Sequence, residues 1–116
     1  MASTSKNQIW NNNAEIDKEP VPNVEGIQKQ ILAYCDSCMC VQNDFETGAV
    51  GPLHAHPHTQ ITYVAEGTFS FTIGEETRTV TKGDVLLKQD GVLHGCTCIE
   101  KGSLIDFFTP MREDFV

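Results

Sequence analysis

The sequence predicts a single all-β domain, a sandwich or a barrel, and three observations carry that expectation. Its 116 residues suffice for one hydrophobic core of ordinary size and not for two. From Gly26 onward, short apolar and β-branched runs alternate with turn residues about every 8 to 12 positions, the rhythm of antiparallel strands. No stretch carries the apolar period of a long amphipathic helix.

Taken in order, residues 1–22 are rich in Asn, Ser and Pro and hold one apolar pair, Ile9-Trp10, so they read as an arm that docks through Trp10, its first few residues disordered. Residues 23–116 read as the barrel. Ile27 to Tyr34 is a strand, Asp36-Ser37 a turn, Met39 to Phe45 the returning strand, and Glu46 to Gly51 a loop. Gln60 to Ala65, Thr68 to Ile73 and Thr77 to Val80 follow as strands, with tight turns at Glu66-Gly67 and Gly74-Glu75. Lys82-Gly83-Asp84 leads into Val85 to Lys88, and Gln89-Asp90-Gly91 into a strand that starts near Leu93. The last strand, Leu104 to Phe108, stops before Pro110, which has no amide proton for a ladder.

Composition excludes several function classes. Eight Lys plus Arg against sixteen Asp plus Glu give a net charge of −8 with no basic cluster, which argues against nucleic acid and anionic membranes as partners. An anionic ligand would therefore need a local source of positive charge. No apolar run approaches the ~20 residues of a membrane span, and the start, Met-Ala-Ser-Thr-Ser-Lys-Asn-Gln, lacks a secretion signal, so the cytoplasm is the expected address. Five cysteines are an odd number and fit free thiols in a reducing compartment. Cys35-x2-Cys38-x-Cys40 with Cys96-x-Cys98 can be drawn as a zinc site, but only one fragment has the paired spacing, and small apolar packing is the expected role. Cys96 and Cys98 share strand parity with His94, which would place both thiols inside a barrel.

Three of the four histidines fall within Pro52-Leu53-His54-Ala55-His56-Pro57-His58-Thr59-Gln60. On a strand, His54 and His56 project to one side about 7 Å apart, close enough to share an ion. Gln60 has the same parity and opens one strand, and His94 opens another, so both can reach the same point inside a rolled sheet. Three imidazoles and an amide oxygen would leave a divalent charge undiminished. On spacing alone, a solvated histidine loop or hydrogen-bonded core histidines remain open readings. His58 has the same parity, but Pro57 disturbs the alternation, which points to a place at the pocket mouth.

Two motifs extend this set. Gly48, His54, His56, Gln60 and Gly67 follow the first motif of the cupins with Gln60 in the glutamate place; Gly83, Gly91 and His94 follow the second, with Gln89 and Cys98 in its proline and asparagine places. The chain thus resembles the cupins, and the resemblance implies a double-stranded β-helix, or jelly-roll barrel, with one divalent metal on His54, His56, Gln60 and His94. Nickel, zinc, manganese, iron and cobalt all suit that donor set. With Gln60 in Pro57-His58-Thr59-Gln60-Ile61-Thr62-Tyr63-Val64, and the ending Asp106-Phe107-Phe108-Thr109-Pro110-Met111-Arg112-Glu113-Asp114-Phe115, the chain is similar to the pectin-degradation, KdgF-type cupins.

That resemblance implies an isomerase-like enzyme that opens 4,5-unsaturated uronates from pectin or alginate to the linear 5-keto-4-deoxy form, with Asp106, Phe108 and Arg112 as its residues beyond the metal ligands. Parity agrees in part: Asp106 and Phe108 share a strand face, and Arg112 lies just past Pro110, able to fold over the mouth. Arg112 would clamp a small sugar-acid carboxylate, and Asp106 would carry a proton to the enol carbon. The sequence does not decide between Asp106 and a metal-bound water as the acid, nor between pectin- and alginate-derived substrate. A small cupin dioxygenase and a non-catalytic sugar-binding cupin are the alternatives. A lone barrel leaves sheet edges and apolar surface to cover, so a homodimer is expected.

Overall fold

A computed structural model describes residues 4–116. Among the described residues there are eight strands: β1 (Glu19–Pro20), β2 (Ile27–Cys35), β3 (Cys38–Phe45), β4 (Val50–His54), β5 (Thr59–Ile73), β6 (Glu76–Thr81), β7 (Val85–Lys88) and β8 (His94–Thr109). Short 3-10 turns lie at Asn13–Glu15 and Glu113–Phe115. All the strand pairings are antiparallel.

The barrel comes from two long strands that each serve two layers. The second half of β8 and the first half of β5 pair with each other and continue outward to β3, β2 and β1 on one side and β7 on the other. The first half of β8 and the second half of β5 pair again, flanked by β4 and β6. The expected jelly-roll barrel is therefore the fold of this chain.

The two long strands correct the expectation of four shorter ones. Glu66-Gly67 is not a turn: β5 runs through it, with register shifts against β8 between Val64 and Phe69. Gly67 has φ +85°, and a Cβ there would lie 2.5 Å from the carbonyl oxygen of Glu100. The glycine that reads as a turn signal is thus the place where the β8 backbone crosses closely. Likewise β8 begins at His94 and runs unbroken through Leu104, ending one residue before Pro110.

Between the layers lie Ile27, Phe45, Val64, Phe69, Phe71, Cys98 and Leu104, with Phe45 and Phe69 edge to face at 5.2 Å. A second cluster joins Met39, Val41 and Phe108. The arm docks, but not through Trp10, which is 84% exposed. Ile16 is buried instead, the Gln30 amide donates to the carbonyls of Asn13 and Ile16, and β1 adds to β2. The Gln30 hydrogen bonds seat the chain around Asn13 and Ile16 on β2, which makes Ile16 and not Trp10 the apolar anchor. The expectation for the first residues falls partly on 1–3, outside the described residues.

Candidate active site

His54 is the last residue of β4 and His94 the first of β8, and the two are cross-strand partners. His56 lies in the following loop, so its approach to His54 owes to the chain leaving the strand, not to the pleat expected from the H-x-H spacing. Even so, His54, His56 and His94 present nitrogen atoms all within 4.8 Å of one another.

Their hydrogen bonds decide which nitrogens are free. His54 Nδ1 lies 2.9 Å from the carbonyl oxygen of Pro52 and His94 Nδ1 3.0 Å from that of Val92. A carbonyl only accepts, so each Nδ1 carries the proton and each Nε2 keeps a lone pair. His94 Nε2 is buried without any partner, as is His56 Nδ1. Burial pushes the His94 imidazole down to about 4 and also lowers His56, with the Arg112 charge adding to the effect at His56. Neutral imidazoles with orphaned lone pairs are a donor set for a cation, and the three histidines can hold a metal ion.

Gln60, at the start of β5, is 5% exposed. Its Nε2 donates to Asp106 Oδ1 at 2.8 Å, and since a carboxylate only accepts, this fixes the amide with Oε1 toward His56, 2.9 Å away. The amide oxygen thus faces the histidines, as a fourth ligand would. His58 stands apart: its Nε2 donates to the carbonyl of Met111 at 3.0 Å, at the mouth.

Asp106 and Phe108 share the inward face of β8, both buried. Asp106 accepts from Gln60 and Thr62 (2.5 Å) on Oδ1 and from Asn43 Nδ2 (2.8 Å) on Oδ2. It does not pair with Arg112, whose guanidinium meets Asp114 at 2.8 Å and stacks on Phe115 and Phe108, 4.4 and 5.2 Å from the ring centroids. His54, Gln60, His94, Asp106, Phe108 and Arg112 line one cavity of about 440 Å³, in the size range of small-molecule sites.

The cupin domain family matches residues 43–107. Over 94 residues the chain is 40% identical to the pectin degradation protein KdgF of Dickeya dadantii, a match covering 79% of this chain and 86% of that one. The chain belongs to the KdgF group of cupins. The solved structure of KdgF from Halomonas sp. superposes with a TM-score of 0.88 at 36% identity, covering 94% of this chain and 99% of that one. An RmlC-like cupin from Shewanella frigidimarina gives 0.91 at 34% identity, covering 97% and 100%.

Beyond the residues expected from sequence, this KdgF-group barrel buries Lys88, 2% exposed. Its ammonium donates to Thr62 Oγ1, whose hydroxyl donates on to Asp106, and it lies over the Phe71 ring at 4.7 Å. Burial lowers the lysine while the Asp106 charge raises it. Lys88 is the cross-strand partner of Gln60, which is why a lysine at a strand end points inward. With Lys29 and Arg112 it gives the cavity three cations in a chain of net charge −8, the local positive charge an anion needs. Cys96 also lines the cavity, its thiol pushed up to about 12 by burial, while Cys98 sits in the core.

Proposed function

We propose that this chain opens the ring of 4,5-unsaturated uronate monosaccharides from pectin or alginate breakdown, giving the linear 5-keto-4-deoxy form, with one divalent metal held by His54, His56, Gln60 and His94. The observation that carries this reading is the buried Asp106 facing the histidine cluster across a cation-lined cavity, in a chain of the KdgF group. The Dickeya relative is named for pectin degradation, and a sugar acid is the substrate class that name suggests here.

Ring opening moves one proton and breaks one bond. The anomeric hydroxyl loses its proton, the bond from C1 to the ring oxygen breaks to leave an aldehyde and an enolate, and C4 gains a proton to give the ketone. Loss and gain balance, so a single carboxylate can carry the proton. Asp106 is held for this by three donors on Gln60, Thr62 and Asn43, which fix its plane without neutralising it. When bound, the metal supplies Lewis-acid polarisation of substrate oxygens.

Arg112 binds the substrate carboxylate. Its present partner Asp114 is exposed and competes weakly, so the guanidinium can exchange that ion pair for a bidentate one with substrate. Phe108 supplies the apolar wall beneath it. Exposed Ile61, Leu87, Phe107, Tyr63 and Val85 adjoin one another across β7, β5 and β8, and we assign this outer face to a homodimer contact.

The test mixes metal-loaded protein with freshly made 4,5-unsaturated monouronate and follows loss of the conjugated-enol absorbance. Acceleration by the native protein, lowered about 10³-fold in Asp106→Asn, supports the assignment. Asparagine keeps the shape and can accept from Gln60 and Thr62, so a folded variant of undiminished rate would remove Asp106 from the chemistry.

A further inference from the structure

At the far end of the β2–β3 hairpin, two cysteines face each other. Cys35 and Cys38 are cross-strand partners flanking the two-residue turn Asp36-Ser37. Their sulfur atoms are 3.7 Å apart, in van der Waals contact and unbonded. Directly paired residues of an antiparallel hairpin have Cα atoms about 4.5–5.5 Å apart, inside the range that a disulfide spans. Cys38 is exposed and Cys35 partly so, and neither lines the cavity.

We propose that Cys35 and Cys38 form a reactive dithiol that closes to an intrachain disulfide on meeting a low-molecular-weight disulfide. The roles of the two sulfurs are distinct. The Ser37 hydroxyl, 3.3 Å from Cys35 Sγ, and the Cys38 thiol both stabilise a Cys35 thiolate, whose pKa falls to about 7, whereas that of Cys38 is raised. Cys35 is therefore the attacking sulfur and Cys38 the resolving one. The Cys35 thiolate attacks one sulfur of the small disulfide, forming a mixed disulfide and releasing the first small thiolate. Cys38, losing its proton, then attacks the Cys35 sulfur and expels the second small thiol. Two protein thiols are oxidised, one small disulfide is reduced to two thiols, and no other reactant is needed.

The other cysteines do not share this geometry. Burial pushes Cys40 up to about 11, Cys96 stands in the cavity wall, and Cys98 is shut in the core.

The experiment exposes the full-length reduced protein to oxidised glutathione, then blocks free thiols and maps the products by mass spectrometry. The native chain is expected to lose two hydrogens, with the bond placed between Cys35 and Cys38 by fragmentation. Cys38→Ser should stall with one glutathione on Cys35, and Cys35→Ser should remain unmodified over the same exposure. Circular dichroism verifies that both variants fold, serine being a close substitute at an exposed hairpin. A bond to Cys40, a Cys35→Ser chain that reacts as fast as native, or a native chain that stays fully reduced would overturn the proposal. The native mapping reads the outcome without any variant.

Discussion

The interior of this barrel has two unlike halves built by the same two strands. Along the inward face of β5 and β8, Gln60, Thr62, His94 and Asp106 occupy one half, whereas Val64, Phe69, Phe71, Cys98 and Leu104 fill the other. Both halves are equally buried. The apolar half gains from every contact, with Phe45 and Phe69 edge to face. The polar half holds a lysine, a carboxylate, amides and imidazoles away from water, a cost that hydrogen bonds offset without surplus. The same two strands thus carry both the apolar packing that stabilises the barrel and the polar inventory of the site.

The sharpest way to break that contrast is Phe69→Ala, which is expected to cost about 3–5 kcal/mol in denaturant unfolding, because the side chain is wholly buried. Its metal binding should persist in whatever fraction remains folded. In the polar half, adding a divalent ion at about 100 times its Kd is expected to raise stability by about 2.7 kcal/mol, read as a higher thermal midpoint. His94→Ala should abolish that rise, since it deletes the orphaned Nε2.

Lys88→Met sharpens the comparison further. An apolar chain of similar length relieves a buried ammonium, so stability should hold or rise while turnover falls about tenfold through loss of the grip on Thr62 and Asp106. A variant both less stable and fully active would invert the assignment of this half. The smallest effect is a pH slope in metal-free protein. His94 is held at about 4 in the folded chain against about 6.5 unfolded. Between those values the unfolded chain binds the extra proton, so stability falls as pH falls from about 6.5 to 4 and levels off below. Urea midpoints across that window should show the slope, and His94→Gln should flatten it.

Much of this arrangement is legible in the sequence, for identifiable reasons. His54, Gln60 and His94 sit at strand ends, where turn residues mark the boundaries, and Asp106 and Phe108 keep their shared face because β8 is regular there. Other features are set by contacts distant in sequence. Lys88 reads as a solvated strand end until its pairing with Gln60 turns it inward. Thr62 and Asn43 become partners of Asp106 only once β3, β5 and β8 lie side by side. Gly67 misled because a positive φ serves a turn and a close strand crossing alike. Trp10 misled because apolar character alone does not say which residue of an arm finds a groove.

The unbroken course of β8 has a consequence for how such a barrel can change over generations. His94 at one end and Asp106 near the other are an even number of positions apart, and inward-facing Cys96, Cys98 and Leu104 keep that count between them. One added or lost residue in this stretch would turn Asp106 to the outer surface while leaving His94 in place. At the crossing the count has no slack, since a side chain on Gly102 would collide with the carbonyl of Glu66. An inserted residue is therefore tolerable at turns such as Gly74-Glu75 and Gln89-Asp90-Gly91 and not within β8, which acts as the ruler of this barrel.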